Sequence, residues 1–91
     1  MVTTPWHWQF PPIAEPLPLE EQIASIIGEV VEALEALQNG EGDERVAEEL
    51  MDVKHRTESA IRNLPFDDNQ LTAIKRGVIE KNDRRGYYGG E

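Results

Sequence analysis

The sequence predicts an all-α protein, built as an antiparallel helical hairpin followed by a short third helix. Two segments of similar length place apolar residues at intervals of three and four, which is the spacing of an amphipathic helix. Only the sequence NGEGD (39–43) separates them, and so short a connection favours antiparallel neighbours. Five of the six prolines precede both segments, within residues 1–18, so proline does not interrupt either helix.

The two long helices are each bounded by recognisable start and stop signals. The first runs from Leu19 to Leu37 and stops at Asn39 and Gly40. Its apolar stripe consists of Ile23, Ile26, Ile27, Val30, Val31, Leu34 and Leu37. The second begins near Asp43, a favourable N-cap, and Pro65 ends it. Its stripe consists of Val46, Leu50, Val53, Thr57, Ala60, Ile61 and Leu64. We expect the two stripes to face each other.

The third helix is predicted with a thinner apolar edge. It starts at Asp67 or Asp68 and runs to about Lys81, interrupted by Gly77, because glycine is a poor helix former. Its edge consists of Leu71, Ile74 and Val78. The predicted organisation is therefore an extended arm (1–18), a helical domain (19–83) and a flexible tail rich in Gly and Tyr (84–91).

The proline-rich arm alternates three aromatic residues, Trp6, Trp8 and Phe10. Proline removes amide donors, so an extended conformation is favoured over a helix. Two interpretations are open for the aromatics. They pack on the helices or on another subunit, or one of them stacks on the base of a substrate.

Length and composition restrict the possible partners. A chain of 91 residues makes one domain with a small core, so a partner subunit is expected. The net charge of −9 argues against nucleic acid or an anionic membrane as the main partner. The chain has no cysteine, which excludes disulfides and thiolate chemistry. No window approaches the roughly 20 apolar residues of a membrane span, and we expect a soluble, cytoplasmic protein.

Acidic residues occur in pairs on both long helices. Glu29 and Glu32 lie beside small residues on the first helix, and Glu49 and Asp52 lie beside the stripe of the second. A spacing of i, i+3 puts both members of a pair on one face, and an antiparallel hairpin lets the pairs converge. Two such charges about 4 Å apart repel by about 4 kcal/mol at an effective dielectric of about 20.

A protein relieves such repulsion with a proton, a base such as Arg56 or Lys54, or a divalent cation. The acid excess favours the cation, and an all-oxygen ligand set suits Mg²⁺ better than Zn²⁺. A single ExxE or ExxD in so acidic a chain is more often a solvated helix face. His55, three residues after Asp52, has ligand spacing too, but its angle from the stripe favours an ordinary surface histidine.

Taken together, the acid motifs carry a resemblance to a known family. GEVVE (28–32), then EELMDV (48–53), resemble the paired ExxE and ExxD of the MazG family of all-α nucleoside triphosphate pyrophosphohydrolases. VIEKNDRRGYYG (78–89) is similar to the segment of small MazG-like proteins in which Lys, Asn and Arg precede Gly and aromatics. The similarity covers roughly residues 19–89.

The resemblance implies a Mg²⁺-dependent enzyme that cleaves a nucleoside triphosphate into monophosphate and pyrophosphate. The implied metal ligands are Glu29, Glu32, Glu49 and Asp52. Glu32 and Glu49 are the catalytic candidates, with Glu32 the choice to accept a proton from water because it lies farthest from the predicted hairpin core. The implied substrate contacts are Lys81, Asn82, Arg85 and Tyr88. Tyr87 and Tyr88 either close over the base or pack on a subunit. We expect a homodimer with a four-helix core, or a homotetramer.

Other functions remain open. A ferritin-like metal protein also uses helical acids, but it needs ExxH motifs that this chain lacks. A non-catalytic helical dimer, acting as adaptor or regulator, would carry the same acids only as solvated charges. A narrower alternative keeps the fold and metal but acts on dUTP or dCTP alone.

Overall fold

Three α-helices are the regular secondary structure of the computed structural model, which describes residues 4–14 and 17–89. α1 spans Leu19–Gln38, α2 spans Asp43–Arg62 and α3 spans Asp68–Arg84. The all-α class is confirmed, and no strand occurs in the ranges described. None of the three helices described has the length and hydrophobicity that a transmembrane span requires.

The α1–α2 connection turns through two glycines with left-handed backbone, Gly40 at φ 65° and Gly42 at φ 99°. The expectation that Asp43 caps α2 was wrong. Gly42 is the N-cap, with no side-chain cap, and Asp43 is the first helical residue. The positive φ of Gly42 directs the chain into the helix. The carboxylate of Asp43 still lies in the first turn, where it complements the helix dipole.

α3 is longer than expected and is continuous through Gly77. Its start carries a capping box: Asp67 accepts a hydrogen bond from the backbone N–H of Gln70, and the Gln70 side chain accepts one from the N–H of Asp67. Basic residues in the last turn, Lys81 and Arg84, complement the negative end of the dipole. These end effects outweigh the ~1 kcal/mol that glycine costs in a helix.

The chain divides into two compact units. One is Gln9–Leu64, which contains α1 and α2. The other combines the segment that ends at Trp8 with the segment from Pro65 onwards, and contains α3.

α1 and α2 pack as the predicted antiparallel hairpin. The Asn63 side-chain amide donates to Gln22 Oε1 at 2.9 Å, and Arg56 Nε lies 3.9 Å from Glu29 Oε1. From the first pair to the second, the contact moves seven residues forward on α1, from Gln22 to Glu29, and seven residues back on α2. This heptad register is typical of long packed helices.

The packing of the hairpin corrects one expectation, since most of the apolar stripe of α1 is exposed and does not face α2. The buried residues of α1 are Gln22, Ala33 and Ala36. Those of α2 are Glu49, Glu58, Ser59 and Ala60. The large apolar residues of α1 point outward instead, 47–65% exposed: Ile23, Ile27, Val30, Val31, Leu34 and Leu37. Small side chains allow two helices to approach closely, so the alanine face of α1 turns inward and the bulky face turns out.

The exposed apolar residues of α1 form a stripe along its outward face. Successive residues of this stripe are four and three positions apart in turn, as along a coiled-coil contact. We name this set, Ile23, Ile27, Val30, Leu34 and Leu37, the α1 apolar seam.

Residues 9–11 of the arm dock on α2. The backbone N–H groups of Gln9 and Phe10 each donate to the buried Glu58 carboxylate at 2.9 Å. Arg62 donates to the carbonyl oxygen of Phe10 at 2.8 Å. The Phe10 ring stacks on His55, whose Nε2 lies 3.1 Å from the carbonyl oxygen of Pro11. His55 is therefore a half-buried arm contact and not the surface histidine expected.

Residues 4–8 of the arm dock on α3 within the second unit. The backbone N–H of Trp6 donates to Thr72 Oγ1 at 2.9 Å, and Lys75 Nζ donates to Thr4 Oγ1 at 2.8 Å. The rings of Trp6 and Trp8 meet edge to face, with centroids 5.1 Å apart. Trp6 and Phe10 thus contact helices, as the packing interpretation predicts, while base stacking stays a prediction.

Candidate metal centre

Three acids from the two packed helices converge, and we name Glu29, Glu32 and Glu49 the carboxylate cluster. One oxygen of each lies within 4.8 Å of an oxygen of the other two. The i, i+3 spacing of the α1 pair and the antiparallel register bring them together. Glu49 is buried, Glu29 is half-buried and Glu32 is exposed, so the cluster is closed on the α2 side and open to solvent beside Glu32.

Glu49 carries the unusual chemistry of the cluster. Its side chain is 4% exposed, and Oε1 pairs with Arg45 Nη2 at 2.5 Å. Its other oxygen, Oε2, is buried without a hydrogen-bond partner in the part of the chain described. Burial raises the pKa of Glu49 above its ordinary value and Arg45 opposes the rise. The charges of Glu32 and Asp52 add to it, as does the hydrogen bond that a protonated Glu49 can share with Glu32. An anionic Glu49 therefore lacks full compensation.

Arg45 is the main cation beside Glu49, and the sequence reasoning missed it. Its guanidinium spans three acids, with Nη1 3.3 Å from Glu48 and Nε 3.7 Å from Glu41. These acids, Glu49 first, hold the pKa of Arg45 above its ordinary value. The signal was present, because Arg45 precedes Glu49 by four residues and i, i+4 neighbours meet on a helix.

Arg56 is the base that the sequence did suggest. Its Nε lies 3.9 Å from Glu29 Oε1, a long contact between partly exposed groups. Such a pair adds little free energy. It offsets part of the charge of Glu29 and leaves the Oε2 atom of Glu49 unpaired.

A cavity of about 220 Å³ adjoins the cluster. Its lining residues are Glu32, Glu35, Ala36, Asn39, Glu41, Arg45 and Glu49. Four of these are acids and one is a base, so a bare polyanion would be repelled, whereas an anion that arrives with cations would not.

The other candidate residues from the sequence are not members of the carboxylate cluster. Asp52 is exposed on α2 and does not belong to the group of three, although its charge acts on Glu49. Lys81 and the half-buried Asn82 lie in the last turn of α3. Arg85 is the C-cap of α3, and Tyr87 and Tyr88 follow it, both exposed. Their roles as substrate contacts stay predictions.

The residues present fit a hard divalent cation. All the cluster offers is carboxylate oxygen, which Mg²⁺ and Ca²⁺ prefer, and zinc sites rely on His or Cys. The buried Oε2 of Glu49 has no hydrogen-bond partner among the described residues, and either a divalent cation or a proton would compensate it.

Comparisons with protein-family models, with curated proteins and with solved structures find no match.

Proposed function

We propose that this chain is a Mg²⁺-dependent nucleoside triphosphate pyrophosphohydrolase that acts on ribo- or deoxyribonucleotides in the cytoplasm. The observation that carries the proposal is the carboxylate cluster, with a buried Glu49 oxygen that has no partner in the described residues. The resemblance of GEVVE, EELMDV and VIEKNDRRGYYG to MazG motifs supplies the reaction.

Glu29, Glu32 and Glu49 would hold the ion, with Asp52 as a fourth, outer carboxylate. When bound, Mg²⁺ supplies charge neutralisation and polarisation of a phosphate. Glu49 contributes a rigid ligand, because its side chain is buried and tied to Arg45. Glu29, half-buried, contributes a second, and Glu32 completes the set at the open side.

Glu32 would serve as the general base. It is exposed and lines the cavity, so water reaches it. Water attacks the α phosphorus, its proton passes to the Glu32 carboxylate, and the bond from the α phosphorus to the oxygen shared with the β phosphate breaks. Nucleoside monophosphate and pyrophosphate leave, and no protein nucleophile is needed.

Lys81, Asn82 and Arg85 would bind the triphosphate, Arg85 as a planar fork and Lys81 as a point charge. Tyr88, half exposed after α3, would cover the base.

Incubation of the purified protein with each NTP and dNTP plus Mg²⁺, with products separated by anion exchange, tests the reaction. Monophosphate and pyrophosphate are expected, with loss of both products in EDTA. Diphosphate and phosphate would contradict the assigned bond, and no turnover of any nucleotide would contradict the enzyme.

The functional form is proposed to be a homodimer with a four-helix core, or a tetramer made from two such dimers. The described residues bury only four apolar side chains, Ala33, Ala36, Ala60 and Leu71, which is a thin core for this length. The α1 apolar seam is nearly symmetric about Val30, with Ile23 and Leu37 seven residues to either side. An antiparallel second copy of α1 would therefore pair Ile23 with Leu37 and Val30 with its own copy, as a two-fold interface requires.

α1 carries five acids and no base, so two copies would repel. Sedimentation should then show a dimer that tightens as salt is added, because salt screens this repulsion. Val30→Glu should yield a monomer of unchanged helix content, and Val78→Glu, on α3, should not. A wild-type protein that stays monomeric at high salt would refute the dimer.

A non-catalytic helical dimer is the second candidate function. The observation in its favour is that Arg45 and Arg56 already pair with two members of the carboxylate cluster. It predicts no stabilisation by Mg²⁺. The enzyme predicts about 2.7 kcal/mol at a Mg²⁺ concentration 100 times the Kd.

A further inference from the structure

We propose that Arg45 is a positioning residue which, by binding Oε1 of Glu49, presents Oε2 of the same carboxylate to a divalent cation in the carboxylate cluster. The inference rests on the proposed metal function, and it assigns a role to a residue outside the ExxE and ExxD motifs.

The two oxygens of Glu49 have different surroundings. Oε1 accepts from the guanidinium of Arg45, and Oε2 is buried with no partner among the residues described. A rotation of about 90° would take both oxygens out of the plane in which one of them meets Arg45, and would break that contact. The orientation of the carboxylate is therefore fixed, and the fixed orientation leaves Oε2 available.

Arg45 is itself held in place from outside the cluster. Glu48 and Glu41 contact its other nitrogens, at 3.3 and 3.7 Å, and the side chain is half exposed. The guanidinium is thus held by two acids, Glu41 and Glu48, that do not belong to the carboxylate cluster. Hydrogen bonds from outer residues to metal ligands commonly serve this purpose, and their loss typically weakens metal affinity roughly 10–100-fold.

If Arg45 had a different role, its removal would change the cation affinity in the opposite direction. If the guanidinium merely substituted for the ion, its removal would strip a competing positive charge and make the cluster bind cations more tightly. The direction of the change in affinity therefore separates positioning from competition.

The test uses the full chain and Mn²⁺ alone, with free Mn²⁺ measured by electron paramagnetic resonance. Arg45→Met should weaken Mn²⁺ binding roughly 10–100-fold. Arg45→Lys, which keeps the charge and one donor, should restore part of the affinity. Arg76→Met, on the exposed surface of α3, makes the same charge change and should leave the Kd unchanged. Helix content by circular dichroism in EDTA checks that each variant is folded.

Unchanged or tighter Mn²⁺ binding by Arg45→Met would overturn the positioning role while the metal site stands. If wild type itself binds no Mn²⁺, the proposed metal function falls, and this inference falls with it. Should Arg45→Met fail to fold, Arg45→Lys decides: weaker Mn²⁺ binding than wild type supports the positioning role of the guanidinium, and equal or tighter binding overturns it.

Discussion

Glu49 and Glu58 are both buried carboxylates on α2, and their surroundings differ sharply. Glu58 accepts backbone N–H groups from Gln9 and Phe10, so a segment of the arm satisfies it. Glu49 has one oxygen on Arg45 and one with no partner in the described chain, close to two further acids. Burial alone therefore does not distinguish a structural acid from a candidate ligand. What distinguishes them is whether the second carboxylate oxygen has a hydrogen-bond partner.

The largest expected effect separates the two acids by function. Glu49→Gln should reduce turnover to background and weaken Mg²⁺ binding by more than the roughly 10–100-fold typical of an outer residue, because the neutral amide lacks the negative charge with which a carboxylate binds a hard cation. Glu58→Gln should retain both turnover and Mg²⁺ binding. Product assays measure turnover, and isothermal titration calorimetry measures the binding of Mg²⁺. Equal losses in the two variants would erase the distinction.

The next effect concerns the arm. Glu58→Ala removes the acceptor of two charge-assisted hydrogen bonds and should lower the free energy of unfolding by about 2–4 kcal/mol, measured with urea. Amide hydrogen exchange at Gln9 and Phe10 should accelerate. Glu80→Ala, at an exposed position on α3, is the control and should change little. Slow exchange at both amides in Glu58→Ala would show that the carboxylate does not hold the arm.

A smaller effect follows from the raised pKa of Glu49, whose first cause is burial. Well below the ordinary Glu pKa of about 4.3, Glu49 is protonated in the folded and unfolded chain and has no effect on stability. As pH rises, the unfolded chain loses this proton first, so folding becomes less favourable until the folded pKa is passed. In EDTA, Glu49→Gln should therefore melt above wild type at neutral pH and equal to it below about pH 4. A lower melting temperature at neutral pH would mean that the Arg45 pair outweighs burial.

The smallest effect is expected at Asp52. Its carboxylate is exposed and lies outside the group of three, so Asp52→Asn should weaken Mg²⁺ binding less than Glu49→Gln. Titration of both variants under the same conditions gives the comparison. An equal loss would make Asp52 a ligand of the same rank as Glu49.

The sequence predicted the helices and the meeting of acids, because both follow from local periodicity. α1 and α2 begin and end within about two residues of the expected positions, and Glu29, Glu32 and Glu49 converge as the spacing implied. The predicted orientation of α1 in the hairpin was wrong, because periodicity finds an apolar stripe but not the surface that it packs against. α1 carries both a stripe of large apolar residues and a face of small ones. The Glu58 contact with the arm could not be found, since it joins residues about 50 positions apart and has no local pattern.

Ala33 and Ala36 lie on the inner face of α1, and the small size of their methyl groups keeps the two backbones close. The gap across which Glu29 and Glu32 meet Glu49 is therefore set by side chains that bear no charge. Mg²⁺ takes oxygens at about 2.0–2.1 Å and Ca²⁺ at about 2.3–2.6 Å, so at the proposed metal site the width of this gap would decide between them. Bulkier residues at these alanines would spread the helices and shift the preference toward the larger ion, without altering any carboxylate.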